Sequence, residues 1–451
     1  MKRYEYYRET ASPFLKEVPS HWEDTRIGRG YAEKSIGNND GEQLLSVFLD
    51  RGVVSYTDTD MKQVHKPSED MNSYQLVEPG DFVLNNQQAW RGSVGVSSYR
   101  GIVSPAYIVM TPIMDNNPRF MNYMLRETAC TTQFVLASKG VGSIQRILSP
   151  IKLKSSIMVL PPRAEQDQIV RYLDWQVSKI NRLIAAKRKQ IALISASKHA
   201  FASNLVTKGL DASCTMRYSG VNWLGDIPKH WQISKLRTIL HPVSEKNRPD
   251  LPLLSVVREK GVIPRDVDDK ESNRNYIPDD LSGYKVVRTH QFVINKMKAW
   301  QGSYGIAPCD GIVSPAYFVF NIDFDNLEYF HHAIRSKVYV NFFAQASDGI
   351  RVGQWDLSID KMKDIPFILP PSDEQAAIVE SIKKNNAQAD TTISALEKQI
   401  AVLQELRTRL ISDVVTGQVD VRGIKVPDDE YINNEITEEE FEEESENNEE
   451  E

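Results

Sequence analysis

The sequence has little of what marks a secreted, membrane-spanning or catalytic chain. There are only three cysteines in 451 residues. Cys130, Cys214 and Cys309 stand at no disulfide or metal spacing, which fits a reducing compartment and excludes a cystine framework. No apolar run approaches the roughly 20 residues a membrane helix needs, and Met1-Lys2-Arg3-Tyr4 opens no signal peptide. The expectation is a soluble cytoplasmic protein without a membrane partner. The eight histidines do not gather at ligand spacing; His331-His332 is the closest approach and suits a helix surface, so no metal site is expected. Ser104 and Ser314 sit in Ile-Val-Ser-Pro-Ala-Tyr, which is not a nucleophile elbow. Gly140-Val141-Gly142-Ser143 lacks the third glycine of a nucleotide loop, and Gly349-Ile350-Arg351-Val352 does not repeat it. With no paired-carboxylate arrangement either, the chain reads as one that binds and does not catalyse.

Positive charge is scarce only on average. The net charge is −7, yet the stretch from Asp428 to Glu451 holds fourteen acidic residues and no Lys or Arg, so residues 1–427 carry +7. A basic body is compatible with a polyanionic partner. The tail, residues 424–451, is expected to be disordered; it serves solubility or mimics the charge of DNA.

What the sequence does have is repetition. Phe82–Val109, FVLNNQQAWRGSVGVSSYRGIVSPAYIV, returns at Phe292–Val319 as FVINKMKAWQGSYGIAPCDGIVSPAYFV. Pro19-Ser20-His21-Trp22 returns as Pro228-Lys229-His230-Trp231, Leu44-Leu45-Ser46-Val47 as Leu253-Leu254-Ser255-Val256, and Leu160-Pro161-Pro162 as Leu369-Pro370-Pro371. Units this long are duplicated domains and not solenoid repeats.

Within each unit the first half carries short alternating runs broken by Gly, Pro, Asn and Asp, with helical patches near Phe120–Leu136 and Leu327–Ala346. That predicts a mixed α/β (α+β) globular domain. The second half changes period. Ile169, Leu173, Ile180, Leu183, Ile184, Ile191, Ile194, Phe201 and Leu205 step by threes and fours. So do Ile378, Ile382, Ile393, Leu396, Ile400, Leu403, Leu406, Leu410 and Val414. Each run predicts a helix of about 43 residues, about 60 Å long, started beside proline and stopped by Gly209 or Gly417. A single apolar stripe of this length needs a partner. The simplest closed arrangement pairs the two helices antiparallel as a coiled coil between two tandem domains, giving pseudo-two-fold symmetry.

The duplicated block also suggests where binding occurs. Asn85, Ala89, Trp90, Gly92, Ser93 and Gly95 match Asn295, Ala299, Trp300, Gly302, Ser303 and Gly305. Between them Asn86-Gln87-Gln88 and Arg91 become Lys296-Met297-Lys298 and Gln301. The fixed residues are scaffold, with the tryptophans as core or loop-base anchors or, alternatively, as rings that stack on DNA; the varied ones include the donors and acceptors that suit base edges in a major groove. Candidate DNA contacts are therefore Asn86, Gln87, Gln88, Arg91 and Ser93, with Lys296, Lys298, Gln301 and Ser303. A second loop adds Lys62 and Lys66, with Gln63 and His65, against Lys270 and Arg274, with Asn273 and Asn275. A third adds Lys139 and Arg146, with Gln145, against Arg351 and Gln354.

Several of these residues also carry a family resemblance. Leu160-Pro161-Pro162 with Glu165-Gln166, a long helix ending Val206-Thr207-Lys208-Gly209-Leu210-Asp211, and Ser219-Gly220-Val221-Asn222-Trp223-Leu224-Gly225-Asp226-Ile227-Pro228 resemble the specificity subunit of type I restriction-modification systems. So do Leu369-Pro370-Pro371 with Glu374-Gln375, and the closing Val414-Val415-Thr416-Gly417-Gln418-Val419-Asp420-Val421. The likeness spans residues 15–423; Thr10-Ala11-Ser12-Pro13-Phe14-Leu15 departs from the pattern that precedes the second copy, and so does the acidic tail. The resemblance implies target recognition domains at 15–160 and 220–369, and spacer helices at 161–208 and 370–416. It further implies a non-catalytic chain that reads a bipartite, asymmetric site in double-stranded DNA, half per domain, with the helices setting the spacing. Two methyltransferase subunits and two restriction subunits would be its partners, the former received on helix faces near Tyr172 and Trp175. The chain itself would bind no cofactor; S-adenosylmethionine, ATP and Mg would belong to those partners. The competing class is a non-DNA scaffold, with two ligand-binding domains on a coiled-coil stalk.

Overall fold

A computed structural model describes residues 2–37, 41–49, 51–57, 71–140, 146–258, 260–265, 277–278, 280–349 and 355–427. The chain divides into two units, one formed by Met1–Lys187 with Glu397–Glu451 and the other by Arg188–Leu396.

Each unit is built on a four-stranded antiparallel sheet. In the first unit the strand order is Tyr31–Lys34, Tyr107–Pro112, Phe82–Asn85, Val94–Val96. In the second it is Leu240–Val243, Tyr317–Ile322, Phe292–Asn295, Tyr304–Ile306. The register is equivalent, with Val83 opposite Val109 and Val293 opposite Val319. Successive side chains of a strand point to opposite faces, so the unbroken apolar runs Phe82-Val83-Leu84 and Phe292-Val293-Ile294 call for a cover on both sides. They have one. Phe82 and Leu84 join Phe120, Met124 and Phe134 of the helices Pro118–Arg126 and Thr128–Ala137. Val83 and Val109 join Leu45, Val47, Val53, Val77 and Val103 from two short strand pairs. The second unit repeats this with Phe292 and Ile294 against Tyr329, Phe330 and Phe343, and Val293 and Val319 against Val256, Val262, Val287 and Val313.

The repeated Leu-Pro-Pro and Glu-Gln landmarks start the long helices, which run Arg163–Lys208 and Ser372–Val415. Gln166 and Gln375 each donate Nε2 to the carbonyl of the first proline, Pro161 or Pro370, at 2.9 Å. Glu165, buried in the first turn, accepts from Trp22 Nε1 at 3.1 Å and Tyr4 Oη at 2.6 Å and meets His21 Nε2 at 2.7 Å. Its counterpart Glu374 accepts from Trp231 Nε1 at 2.9 Å and meets His230 at 2.8 Å. A carboxylate there also faces the positive end of the helix. At the far ends Gly209 (φ 78°) and Gly417 (φ 72°) take the left-handed conformation that glycine adopts freely. A Cβ on Gly417 would also lie 2.3 Å from Pro19 Cδ.

Both helices run through both units. In the first unit Ile169, Leu173, Ile180 and Ile184 share a core with Leu410, Val414 and Val415, with Ile400 and Leu403 at its edge. Arg407 donates to Asn181 Oδ1 there at 2.8 Å. In the second unit Leu205 and Val206 pack with Ile378, Val379 and Ile382, and Lys198 pairs with Asp390. In each unit the start of one helix lies against the end of the other, an antiparallel pair. Two seam positions read from the sequence face solvent instead: Leu183 is 52% and Leu406 49% exposed. Ile180 and Ile184, four apart, already fill the contact, and Leu183 falls on the flank.

The first unit takes in both flanking segments. Strand Tyr7–Glu9 pairs with Glu17–Pro19, as Met216–Tyr218 pairs with Asp226–Pro228. Arg8 and Arg217 then donate to the carbonyls of Trp22 and Trp231. Beyond the second helix, Asp420 N donates to Lys2 O, Gln168 Nε2 donates to the carbonyls of Val421 and Ile424, and Val419, Val421 and Val426 are buried in the first core. Among the described residues no helix is long and apolar enough to cross a membrane.

Candidate nucleic-acid interface

After the strand Phe82–Asn85 the chain turns within a closed frame. Asn85 Oδ1 accepts from Gln87 N at 3.1 Å, and Asn295 Oδ1 accepts from Met297 N at the same distance. A single helical turn follows, Ala89–Arg91 or Ala299–Gln301, with the alanine fully buried. Gly92 (φ 103°) and Gly302 (φ 89°) then reverse the chain. The indoles serve as loop anchors, Trp90 Nε1 donating to Gln87 O at 2.9 Å and Trp300 Nε1 to Met297 O at 3.2 Å. Gln87 and Arg91 in the first loop, and Met297 and Lys298 in the second, are thereby left facing outward.

Gln87, Arg91 and Lys298 are exposed, and Gln88 and Gln301 are half-buried. Asn86 is half-buried, with Oδ1 accepting from Leu148 N at 3.0 Å, so it ties the loop to the strand Ile147–Leu148. Lys296 plays that part in the second unit by ion-pairing Asp356 at 2.6 Å, while its carbonyl accepts from Leu357 N. Lys139 is exposed on the strand Ser138–Lys139, opposite Ile147. Arg91 and Arg146 each place a guanidinium 5.2 Å from the Trp90 ring, which joins two of the candidate loops in a cation–π cluster.

Ser93 and Ser303 lie elsewhere. Both are 3% exposed, and Ser93 Oγ donates to Val47 O at 2.7 Å; they hold the frame from inside. Lys62, Lys66, Lys270, Arg274, Arg351 and Gln354 lie outside the described residues, as do Gln63, His65, Gln145, Asn273, Asn275 and the acidic stretch from residue 428 onward. Tyr172, read as part of a docking face, is 3% exposed and packs into the first core, while Trp175 is partly exposed with Lys179 Nζ 4.1 Å from its ring.

Several groups titrate away from their ordinary values. Burial pushes the Cys130 thiol up to about 12. Burial, with lesser repulsion from His332 and Arg335, takes His331 down to about 4. Lys285, beneath the Phe318 ring, is lowered by burial and by Lys246. Among the described residues no three His, Cys, Asp or Glu side chains are placed to hold a metal ion.

The architecture that carries this loop has solved counterparts. The chain aligns over 89% of its length with 99% of a chain from a structure described as "Structural basis underlying complex assembly and conformational transition of the type I R-M system", at 14% identity and a TM-score of 0.51. The chain has the fold of a type I R-M system component. Two further solved structures align at lower scores. One is the HsdS subunit from Thermoanaerobacter tengcongensis, at 14% identity and TM-score 0.43 over 91% of this chain and 100% of that one. The other is the type I restriction-modification S subunit from M. genitalium, at 10% identity and TM-score 0.33 over 90% and 97%. No family model and no curated protein matches the sequence.

One residue at this face escapes sequence reading. Trp355, directly before the strand Asp356–Leu357, stands where the first unit has Arg146 before Ile147–Leu148. Its ring lies 5.0 Å from Trp300. Carrying the 209-residue offset through this loop would have aligned the two, but their chemical dissimilarity hides the match.

Proposed function

We propose that this chain is the DNA-specificity subunit of a type I restriction-modification complex. Each unit reads one half of a bipartite site in double-stranded DNA, and the paired helices set the distance between the halves. One observation carries the reading: two equivalent frames present, at the same loop, different side chains. Asn86, Gln87, Gln88 and Arg91 in one unit answer to Lys296, Met297, Lys298 and Gln301 in the other. A duplicated ligand-binding domain serving one ligand would vary its surface and keep its contact residues; here the frame is kept and the outward residues vary. That is what two different half-sites require.

Lys139 and Arg146 in the first unit and Lys298 in the second supply positive charge for phosphates. The chain recruits methyltransferase and restriction subunits and performs no chemistry itself, so S-adenosylmethionine, ATP and Mg are bound by those subunits. Phe14 and Trp223, at equivalent positions, are 41% and 59% exposed. Such a pair, one per unit, suits two copies of a single partner.

Arg91→Ala tests the reading in the complex with its methyltransferase. Base preference should relax in one half-site only, with the other unchanged. Equal weakening of both halves would make Arg91 a general anchor, and no sequence preference at all would favour the scaffold alternative.

A further inference from the structure

The two frames differ beside the loop that follows the strands Phe82–Asn85 and Phe292–Asn295. In the second unit an open cleft there is lined by Lys296, Met297, Pro315, Ala316, Phe318 and Asp356. Its apolar wall is accessible: Met297 is 51% exposed, Pro315 and Ala316 are exposed, and Phe318 is partly so. The rim is the ion pair Lys296–Asp356 at 2.6 Å, whose charges satisfy each other. At the matching place in the first unit the Pro-Ala turn is kept as Pro105-Ala106, while Gln87 stands for Met297 and Ile108 for Phe318. The Gln87 side chain is exposed.

We propose that the cleft of the second unit takes the 5-methyl group of a thymine in the major groove, and that Gln87 in the first unit reads an adenine edge. This deepens the DNA-specificity reading and rests on it. In the major groove thymine is set apart by its methyl group, which apolar side chains contact, whereas adenine pairs N6 and N7 with an amide. Methionine is unbranched and polarisable and fills an irregular apolar gap. An exposed methionine sharing this cleft with Phe318, beside a neutralised ion pair, offers a base edge apolar contact. A glutamine at that position offers one donor and one acceptor in a plane.

The test uses the full chain with its methyltransferase and duplexes carrying the recognised site. Each thymine is replaced singly by deoxyuridine, which lacks only the 5-methyl group. One replacement, in one half-site only, should weaken binding about fourfold, equivalent to about 0.8 kcal/mol for one buried methylene-sized group. That loss should vanish in Met297→Ala, an exposed position whose change leaves the core intact. Gln87→Ala should keep the deoxyuridine effect and remove discrimination against 7-deazaadenine in the other half. Equal affinity for thymine and deoxyuridine everywhere overturns the inference. So does a deoxyuridine effect that persists in Met297→Ala, or a site in which neither half contains thymine. The same titration with unmodified duplex reports sequence-specific binding itself. If that is absent, the DNA-specificity reading fails; if it is present without the thymine effect, only the cleft's role fails.

Discussion

Glu165 and Glu374 are equivalent carboxylates with unequal surroundings. Both hold a tryptophan indole and a histidine, but Glu165 also accepts from Tyr4, where the second unit has Ser213 at the matching number. Glu165→Ala would leave buried donors unpaired at a cost of about 2–4 kcal/mol, and Glu374→Ala should cost less. Chemical denaturation of the two variants checks the order. His331 gives the second unit a pH dependence, because the first unit has Asn122 at that place, its Oδ1 accepting from Val96 N. Folded His331 titrates near 4, below its ordinary value of 6.5, mainly because of burial. Between those limits the unfolded chain binds a proton that the folded chain does not, so stability falls as pH drops from 6.5 to 4 and is level above. For a partly exposed ring this amounts to about 2 kcal/mol. Unfolding followed between pH 7 and 4 should show that slope in the natural chain and a shallower one in His331→Asn.

At the scale of elements, the long helices were legible in the sequence because a 3.6-residue period sustained over many turns has no other reading, and their bounds follow from Pro162, Pro371 and the two glycines. The sheet was legible only as a class. Which strand pairs with which depends on contacts far apart in sequence, and Tyr31–Lys34 joining Tyr107–Pro112 leaves no local trace. The loop after Phe82–Asn85 is legible because it repeats. The burial of Ser93 is not legible because a serine that donates to an inner carbonyl looks, in sequence, like one that faces water, and Ser303 is buried to the same extent. The helices also yield a prediction. Seven residues inserted between Lys187 and Arg188, with seven between Leu396 and Glu397, keep the apolar seam in phase and add about 10 Å. The gap between half-sites should grow by about three base pairs at about 3.4 Å each. Mapping the methylated motif of the lengthened variant gives the answer; an unchanged gap would remove the helices' role in spacing.

At the scale of the molecule, duplication explains most of what is present. One frame made twice, with two long helices that each contribute to both units, supplies two equivalent loops whose side chains are free to diverge. The body's charge of +7 over residues 1–427 suits a polyanion, but charge alone gives retention and no specificity. The most direct measurement is therefore of sequence: single-molecule methylome sequencing of a host carrying this chain with its methyltransferase, beside the same host with this chain alone deleted. Adenine methylation at one bipartite, asymmetric motif should be present in the first and absent in the second. Methylation that persists at that motif without the chain would contradict its assignment as the specificity subunit.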